Sequence, residues 1–212
     1  MKRIKGIIFD ADGTLLDSMQ MWRTIASEYI KSQGCVPESG LDTRVRNITT
    51  TECAEYFINN YGLKKSAEEI CSEIKSRYES FYAEEVSLKP GVKEFLEKMH
   101  SEGVKMCIAT ATYKGLVNSA VSRHGCDKYF CDIITCDEVG AGKDKPDIFY
   151  KSAEILGFEP CDIAVFEDSL HAVKTAVKAG FYVVGVYDST SDDDWNDICK
   201  ISDYNKKTFE DI

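Results

Sequence analysis

The chain has 212 residues, 43% of them hydrophobic and 29% charged, and a net charge of −10 from 36 acidic against 26 basic side chains. That is the composition of a folded globular protein, long enough for one large domain or for a core with a small insert. The acidic balance argues against a surface for nucleic acid or anionic membrane, and no apolar run approaches the ~18 residues of a membrane span.

The first predicted element is the apolar run at residues 4–9, which reads as a short buried strand. It stops at Asp10-Ala11-Asp12-Gly13-Thr14, two carboxylates one residue apart and then a turn. Carboxylates at the C-terminal end of a buried strand lie where open α/β sheets place their ligands. Two of them in different surroundings can divide the work, one attacking and the other moving protons. The opening Met-Lys-Arg-Ile-Lys runs straight into this strand, so no cleaved signal is expected. Nine cysteines with no Cys-x-x-Cys pair read as free thiols in a reducing cytoplasm.

Residues 18–85 change character. Met19, Trp22, Ala26, Tyr29 and Ile30 fall at helical spacing, followed by Cys53, Phe57, Ile58 and Tyr61, and then Ile70, Ile74, Tyr78 and Phe81. Gly34, Pro37 and Gly40 separate the first two stripes, and Tyr61-Gly62 closes the second. The pattern predicts an all-helical insert at 17–86 inside an α/β core formed by 1–16 and 87–212. From Pro90 onward strands and helices alternate: helix 92–101, strand 104–109, helix 113–123, strand 132–135, helix 147–156, strand 162–167, helix 169–179, strand 182–186. Such alternation predicts a doubly wound parallel sheet of Rossmann type. Asp192-Asp193-Asp194 reads as the start of a further surface helix.

Three more strand ends carry polar groups. The run at 104–109 leads into Thr110-Ala111-Thr112. A loop reads Gly142-Lys143-Asp144-Lys145-Pro146-Asp147-Ile148-Phe149. The strand at 162–167 ends in Glu167-Asp168. An anionic ligand approaching these carboxylates would meet strong repulsion, roughly 4 kcal/mol per unit-charge pair about 4 Å apart at an effective dielectric of 20. Such a ligand would need a lysine and a hard, oxygen-seeking cation such as Mg2+ among them, and no His or Cys lies within the acidic motifs to favour zinc.

In chain order, Asp10-x-Asp12-Gly-Thr, Thr110, the lysine loop and Glu167-Asp168 resemble the four motifs of the haloacid dehalogenase superfamily, in its branch with a helical cap. The resemblance spans essentially the whole chain. It implies Asp10 as nucleophile and Asp12 as general acid and base, with Thr110 and Lys143 on the phosphoryl oxygens. It implies Mg2+ on Asp10, Asp12 (through its carbonyl), Glu167 and Asp168. Alignment on Pro146-Asp147 favours Lys143 over Lys145. Members that cleave carbon–halogen bonds have Tyr at position 12, and those that cleave phosphonoacetaldehyde have Ala, so Asp12 points to phosphoryl transfer. His171-Ala172 stands where the family has Ala-Gly, which affects packing rather than chemistry.

The expected function is therefore a Mg2+-dependent phosphatase for a small phosphorylated metabolite, with no nucleic-acid or membrane partner, working as a cytoplasmic monomer. The cap offers Trp22, Arg23, Arg44, Arg46, Asn47, Arg77 and Tyr78, of which Arg46 and Asn47 are the best candidates to reach substrate. A sugar phosphomutase like β-phosphoglucomutase is the alternative. Its cap loop of the form Leu-Lys-Gly-x-Ser-Arg is not matched by Arg44-Val45-Arg46-Asn47-Ile48-Thr49. A non-catalytic binding protein on the same fold is the third reading, and the intact Asp10, Asp12, Thr110, Lys143 and Asp168 argue against it.

Overall fold

The structure, a computed structural model, describes residues 4–45 and 48–210. The chain divides into one unit of Met1–Ser18 with Val86–Ile212 and a second of Met19–Glu85. Among the described residues no helix is long and apolar enough to cross a membrane.

The first unit is built on six parallel strands: β1 (Gly6–Phe9), β2 (Lys105–Thr110), β3 (Phe130–Thr135), β4 (Ile163–Glu167), β5 (Tyr182–Val186) and β6 (Tyr204–Lys206). Their order is β3-β2-β1-β4-β5-β6, so the chain moves outward from β1 in one direction and then returns to start again at β4. Ligands of open parallel sheets bind at the carboxyl ends of strands where the order reverses, here between β1 and β4. The register fixes what meets there. Phe9 lies opposite Phe166, and the Asp10 N–H donates to the Phe166 carbonyl at 2.9 Å, so the residues after β1 run level with the end of β4.

β1 and β4 are buried along their whole length because both sheet faces are covered, which is why their sequences are unbroken apolar runs. Successive side chains take opposite faces. Phe9 and Phe166 join Phe95 and Phe209 on one side, with ring centroids 5.0 Å apart for Phe9–Phe166 and 5.4 Å for Phe95–Phe166. Ile8, Val165 and Cys107 join Phe149, Leu156 and Val173 on the other. Burying each such phenylalanine contributes roughly 1.5–3 kcal/mol, so the strand ends project from a firmly packed base.

The second unit is all-helical, as the stripes predict: α1 (Met19–Ser32), α2 (Leu41–Val45), α3 (Thr50–Tyr61) and α4 (Ala67–Ser80), followed by a π-helical turn at Phe81–Glu85. Tyr29, Ile30, Leu41, Ala54, Phe57 and Ile70 form its core. Capping boxes start two helices, Thr49 with Glu52 and Ser66 with Glu69. Glu73 accepts from the Tyr29 hydroxyl at 2.7 Å and from Lys65 at 2.6 Å, tying α1 and the loop before α4 to α4.

The first unit's helices are α5 (Val92–Ser101), α6 (Lys114–Arg123), α7 (Cys136–Val139), α8 (Asp147–Leu156), α9 (Leu170–Lys178) and α10 (Asp192–Ile201). α5, α6, α8 and α9 fall within a residue or so of the sequence expectation, and the triple aspartate does begin α10. The three-residue β6, the short α2 and α7 and the π-turn lie outside that expectation. All nine cysteines are free, and Cys107 is a fully buried thiol of β2.

Candidate active site

The turn after β1 is shaped by its backbone. The N–H groups of Leu15 and Leu16 both donate to the Ala11 carbonyl, and the Gly13 N–H donates to Leu16. Gly13 has φ of +81°, a conformation that glycine adopts without steric cost, and it lets the chain reverse directly after the second carboxylate. Asp10 and Asp12 are thereby presented at one strand end in unlike environments.

Asp10 is 8% exposed and receives a hydrogen bond from the Lys143 ammonium. Lys143, itself 7% exposed, also donates to Glu167 Oε2 at 2.7 Å. The other Glu167 oxygen accepts the Ser169 N–H at 3.1 Å, and Asp168 Oδ1 accepts from the Thr14 hydroxyl at 3.3 Å. Ligand oxygens of Asp10, Glu167 and Asp168 all lie within 4.8 Å of one another, and all three residues are buried. The loop before α8 therefore delivers Lys143 into the centre, while Lys145 is exposed.

The electrostatics follow from this crowding. Burial, partly opposed by Lys143 and reinforced by Glu167 and Asp12, raises Asp10 from its ordinary 3.8 to about 8. Burial, with Glu167 and Asp10 beside it, holds Asp168 well above the usual carboxylate range. Burial alone would lower Lys143, but Asp10 and Glu167 outweigh it and keep the ammonium charged. Asp10 and Asp168 are thus disfavoured as anions with Lys143 as the counter-charge beside them, and a divalent cation would supply the further positive charge that lets all three carboxyls ionise. The donors are all oxygen, which suits a hard ion.

Asp12 stands apart. Its Oδ1 accepts from the Ser18 hydroxyl at 2.5 Å and its Oδ2 from the Thr112 hydroxyl at 2.6 Å, two neutral donors that orient the carboxyl. Thr110, buried at the end of β2, accepts the Thr112 N–H on its own Oγ1 at 3.0 Å. Asp10, Asp12, Thr110, Lys143, Glu167 and Asp168 are thus brought together. Arg46 and Asn47 lie outside the described residues. Of the remaining cap candidates, Trp22 and Tyr78 stack on each other at 4.5 Å, and Arg44 pairs with Glu38 at 2.8 Å. His171 is an exposed side chain of α9 whose ring meets the Ser169 hydroxyl.

Sequence reasoning missed Thr14, Ser18 and Thr112 as partners of the acidic groups. The alternation Thr110-Ala-Thr112 was a usable signal, because period two returns a side chain to the same side. Ser18 had none.

A profile of the haloacid dehalogenase-like hydrolase family matches residues 7–186. The chain is 28% identical over 190 residues to a phosphorylated carbohydrates phosphatase of Thermotoga maritima, covering 89% of this chain and 88% of that one. It is 30% identical over 195 residues to a Drosophila melanogaster protein named "probable pseudouridine-5′-phosphatase", covering 89% and 84%. Among solved structures, one from Thermotoga maritima, provisionally assigned as a β-phosphoglucomutase, superimposes with a TM-score of 0.82 at 25% identity over 98% of this chain and 96% of that one.

Proposed function

Because the chain belongs to the haloacid dehalogenase-like hydrolase family, we propose that it is a Mg2+-dependent phosphatase that hydrolyses a sugar phosphate or similar small phosphomonoester through an aspartyl-phosphate on Asp10. It is a phosphoric monoester hydrolase by kinship with phosphatases of comparable length. The observation that carries the finer reading is the pairing of two carboxylates in opposite settings, Asp10 against the Lys143 ammonium and Asp12 between two hydroxyls.

In this reading an Asp10 oxygen attacks phosphorus, and the bond to the leaving oxygen breaks as that oxygen takes a proton from the Asp12 carboxyl. Asp12 then takes a proton from water, whose oxygen attacks the same phosphorus. The bond to Asp10 breaks, releasing inorganic phosphate and restoring both residues. Lys143 and the Thr110 hydroxyl hold the equatorial oxygens and offset their charge. Asp10, Glu167, Asp168 and the Asp12 carbonyl would hold Mg2+, which neutralises the phosphate's charge against the carboxylates. Arg46 and Asn47 remain our candidates for gripping the rest of the substrate, and the enzyme is expected to work as a cytoplasmic monomer.

Chelation tests the cation. EDTA should abolish activity and Mg2+ restore it, whereas Ca2+, which takes more ligands at longer distance, should restore little. Full turnover in EDTA would refute the metal.

The likeness to a provisional β-phosphoglucomutase keeps one rival reading alive. A mutase must exclude water while the sugar of a bound bisphosphate reorients, whereas a phosphatase admits it. A screen of phosphorylated metabolites with Mg2+, read for free phosphate and for sugar-phosphate isomers together, decides between them. We expect stoichiometric phosphate. Conversion of β-glucose 1-phosphate to glucose 6-phosphate with little free phosphate would replace the phosphatase by the mutase.

A further inference from the structure

Outside the residues just described, one half-buried cation has each of its donors engaged. Lys89 lies in the segment that returns the chain to the first unit, two residues before Gly91 starts α5. Its side chain is 11% exposed. Its ammonium donates to the Gly13 carbonyl at 2.6 Å, to the Tyr187 carbonyl at 2.6 Å and to Asp188 Oδ2 at 3.1 Å. An ammonium has three N–H groups, and here three acceptors on two loops take them. Its own backbone is equally fixed. The Lys89 N–H donates to Leu15, Asp17 donates to Ser87, and Leu16 forms an antiparallel bridge with Leu88.

The first acceptor matters most. The Gly13–Thr14 peptide joins the two side chains that serve the acidic centre from this turn. Asp12 precedes it, and Thr14, whose hydroxyl meets Asp168, follows it. The backbone bonds within the turn close it onto Ala11 and Leu16 but leave the Gly13 carbonyl pointing out of it, toward Lys89. Tyr187 and Asp188, just beyond β5, anchor the ammonium from the far side. Asp188 is held in turn by the Thr190 N–H at 2.8 Å and hydroxyl at 2.6 Å. The lysine is thus a strut between the end of β5 and the turn after β1.

We propose that Lys89 is a positioning residue for phosphoryl transfer, fixing through the Gly13 carbonyl the turn that aims the Asp12 carboxyl at the leaving oxygen. Lys89 touches neither substrate nor reacting atoms, and the inference rests on the reading of Asp12 as the general acid. Misplacing a proton donor by an ångström costs rate only where the proton is needed. That gives a signature which a loss of folded protein would not produce.

The test compares p-nitrophenyl phosphate, whose leaving anion is stable, with phenyl phosphate, whose leaving oxygen needs the proton. Both are small and alike in shape. Asp12→Asn is the control and should lower kcat/KM far more for phenyl phosphate than for p-nitrophenyl phosphate. Lys89→Met should do the same to a lesser degree, with a loss on phenyl phosphate at least tenfold larger than on the nitro ester. If Lys89→Met does not fold, Lys89→Gln, which keeps a shorter donor, goes through the same comparison and should show a selective loss of at least threefold. Asp188→Asn keeps both carbonyl bonds and should leave the ratio between the esters unchanged. Equal losses on both esters at position 89, or no loss, would overturn the positioning role while the Asp12 control stands. An Asp188→Asn variant that reproduced the selective loss would also overturn it, by assigning the effect to the charge pair. An Asp12→Asn variant with no leaving-group selectivity would remove the acid role of Asp12 and the proposal together.

Discussion

Asp10→Asn should leave no more than a few per cent of the parent turnover in a protein that still folds. The amide is close in shape to the carboxylate and can accept the Lys143 hydrogen bond, but it cannot form an acyl phosphate. Retention of the fold has its own measurement. Burial raises the Asp10 carboxyl from 3.8 to about 8 in the metal-free protein. A carboxyl raised in the folded state contributes stability that is complete below about pH 4 and is lost as pH climbs to about 8. Asparagine has nothing to lose in that window. In EDTA, therefore, the melting temperature of Asp10→Asn relative to the parent should rise between about pH 5 and pH 8. Phosphate release above a few per cent from a clean preparation would dismiss Asp10 as the nucleophile. A variant that melted well below the parent at pH 8 would dismiss the electrostatic account.

Much of this centre was legible in the sequence for one physical reason. A fully buried parallel strand must be apolar, so a polar side chain that ends it abruptly is conspicuous. Asp10 after Phe9, Thr110 at the end of β2 and Glu167 at the end of β4 all announce themselves this way. Strand order adds what no local pattern contains, since Glu167 follows Asp10 by 157 positions and only the return of the chain to β4 places them side by side. The hydroxyl partners of Asp12 were harder to see because serine and threonine are ordinary turn residues, and nothing near Ser18 marks which of them faces inward. β6 escaped because three half-exposed residues carry no periodicity. The four-residue α7 did carry a signal, Thr135 with Glu138 as a capping box, but it is too short to show an apolar stripe. Lys89 was invisible for a different reason. A lysine before Pro-Gly reads as a solvated charge, and only the convergence of two distant loops turns it into a half-buried tripod.

The choice between Lys143 and Lys145 shows the same limit, and it yields the second large effect. Both lie in one loop with one charge each; alignment on Pro146-Asp147 favours Lys143, but the charge pattern alone does not show which of the two is buried. Lys143→Met removes an ammonium that meets Asp10 and Glu167 together and substitutes an apolar chain of similar length. With Lys143 gone, two buried carboxylates lose their only shared counter-charge among the described residues. Breaking a buried pair in this way costs about 3–5 kcal/mol, and the cost here should fall at the low end because Asp10 escapes by keeping its proton. Lys143 opposes the rise of the Asp10 carboxyl, so its removal drives that group higher still and leaves the variant weakest, relative to the parent, at alkaline pH. Activity should fall further than stability. The residue that holds a transferring phosphoryl group supplies charge where charge develops, and losing one such donor costs on the order of 10²–10³ in kcat. Lys145→Met, at an exposed position two residues away, should change neither the melting temperature by more than about a degree nor kcat by more than about twofold. A Lys143→Met enzyme with more than a tenth of the parent kcat would remove Lys143 from the chemistry, and a matching loss in Lys145→Met would hand the role to that residue instead.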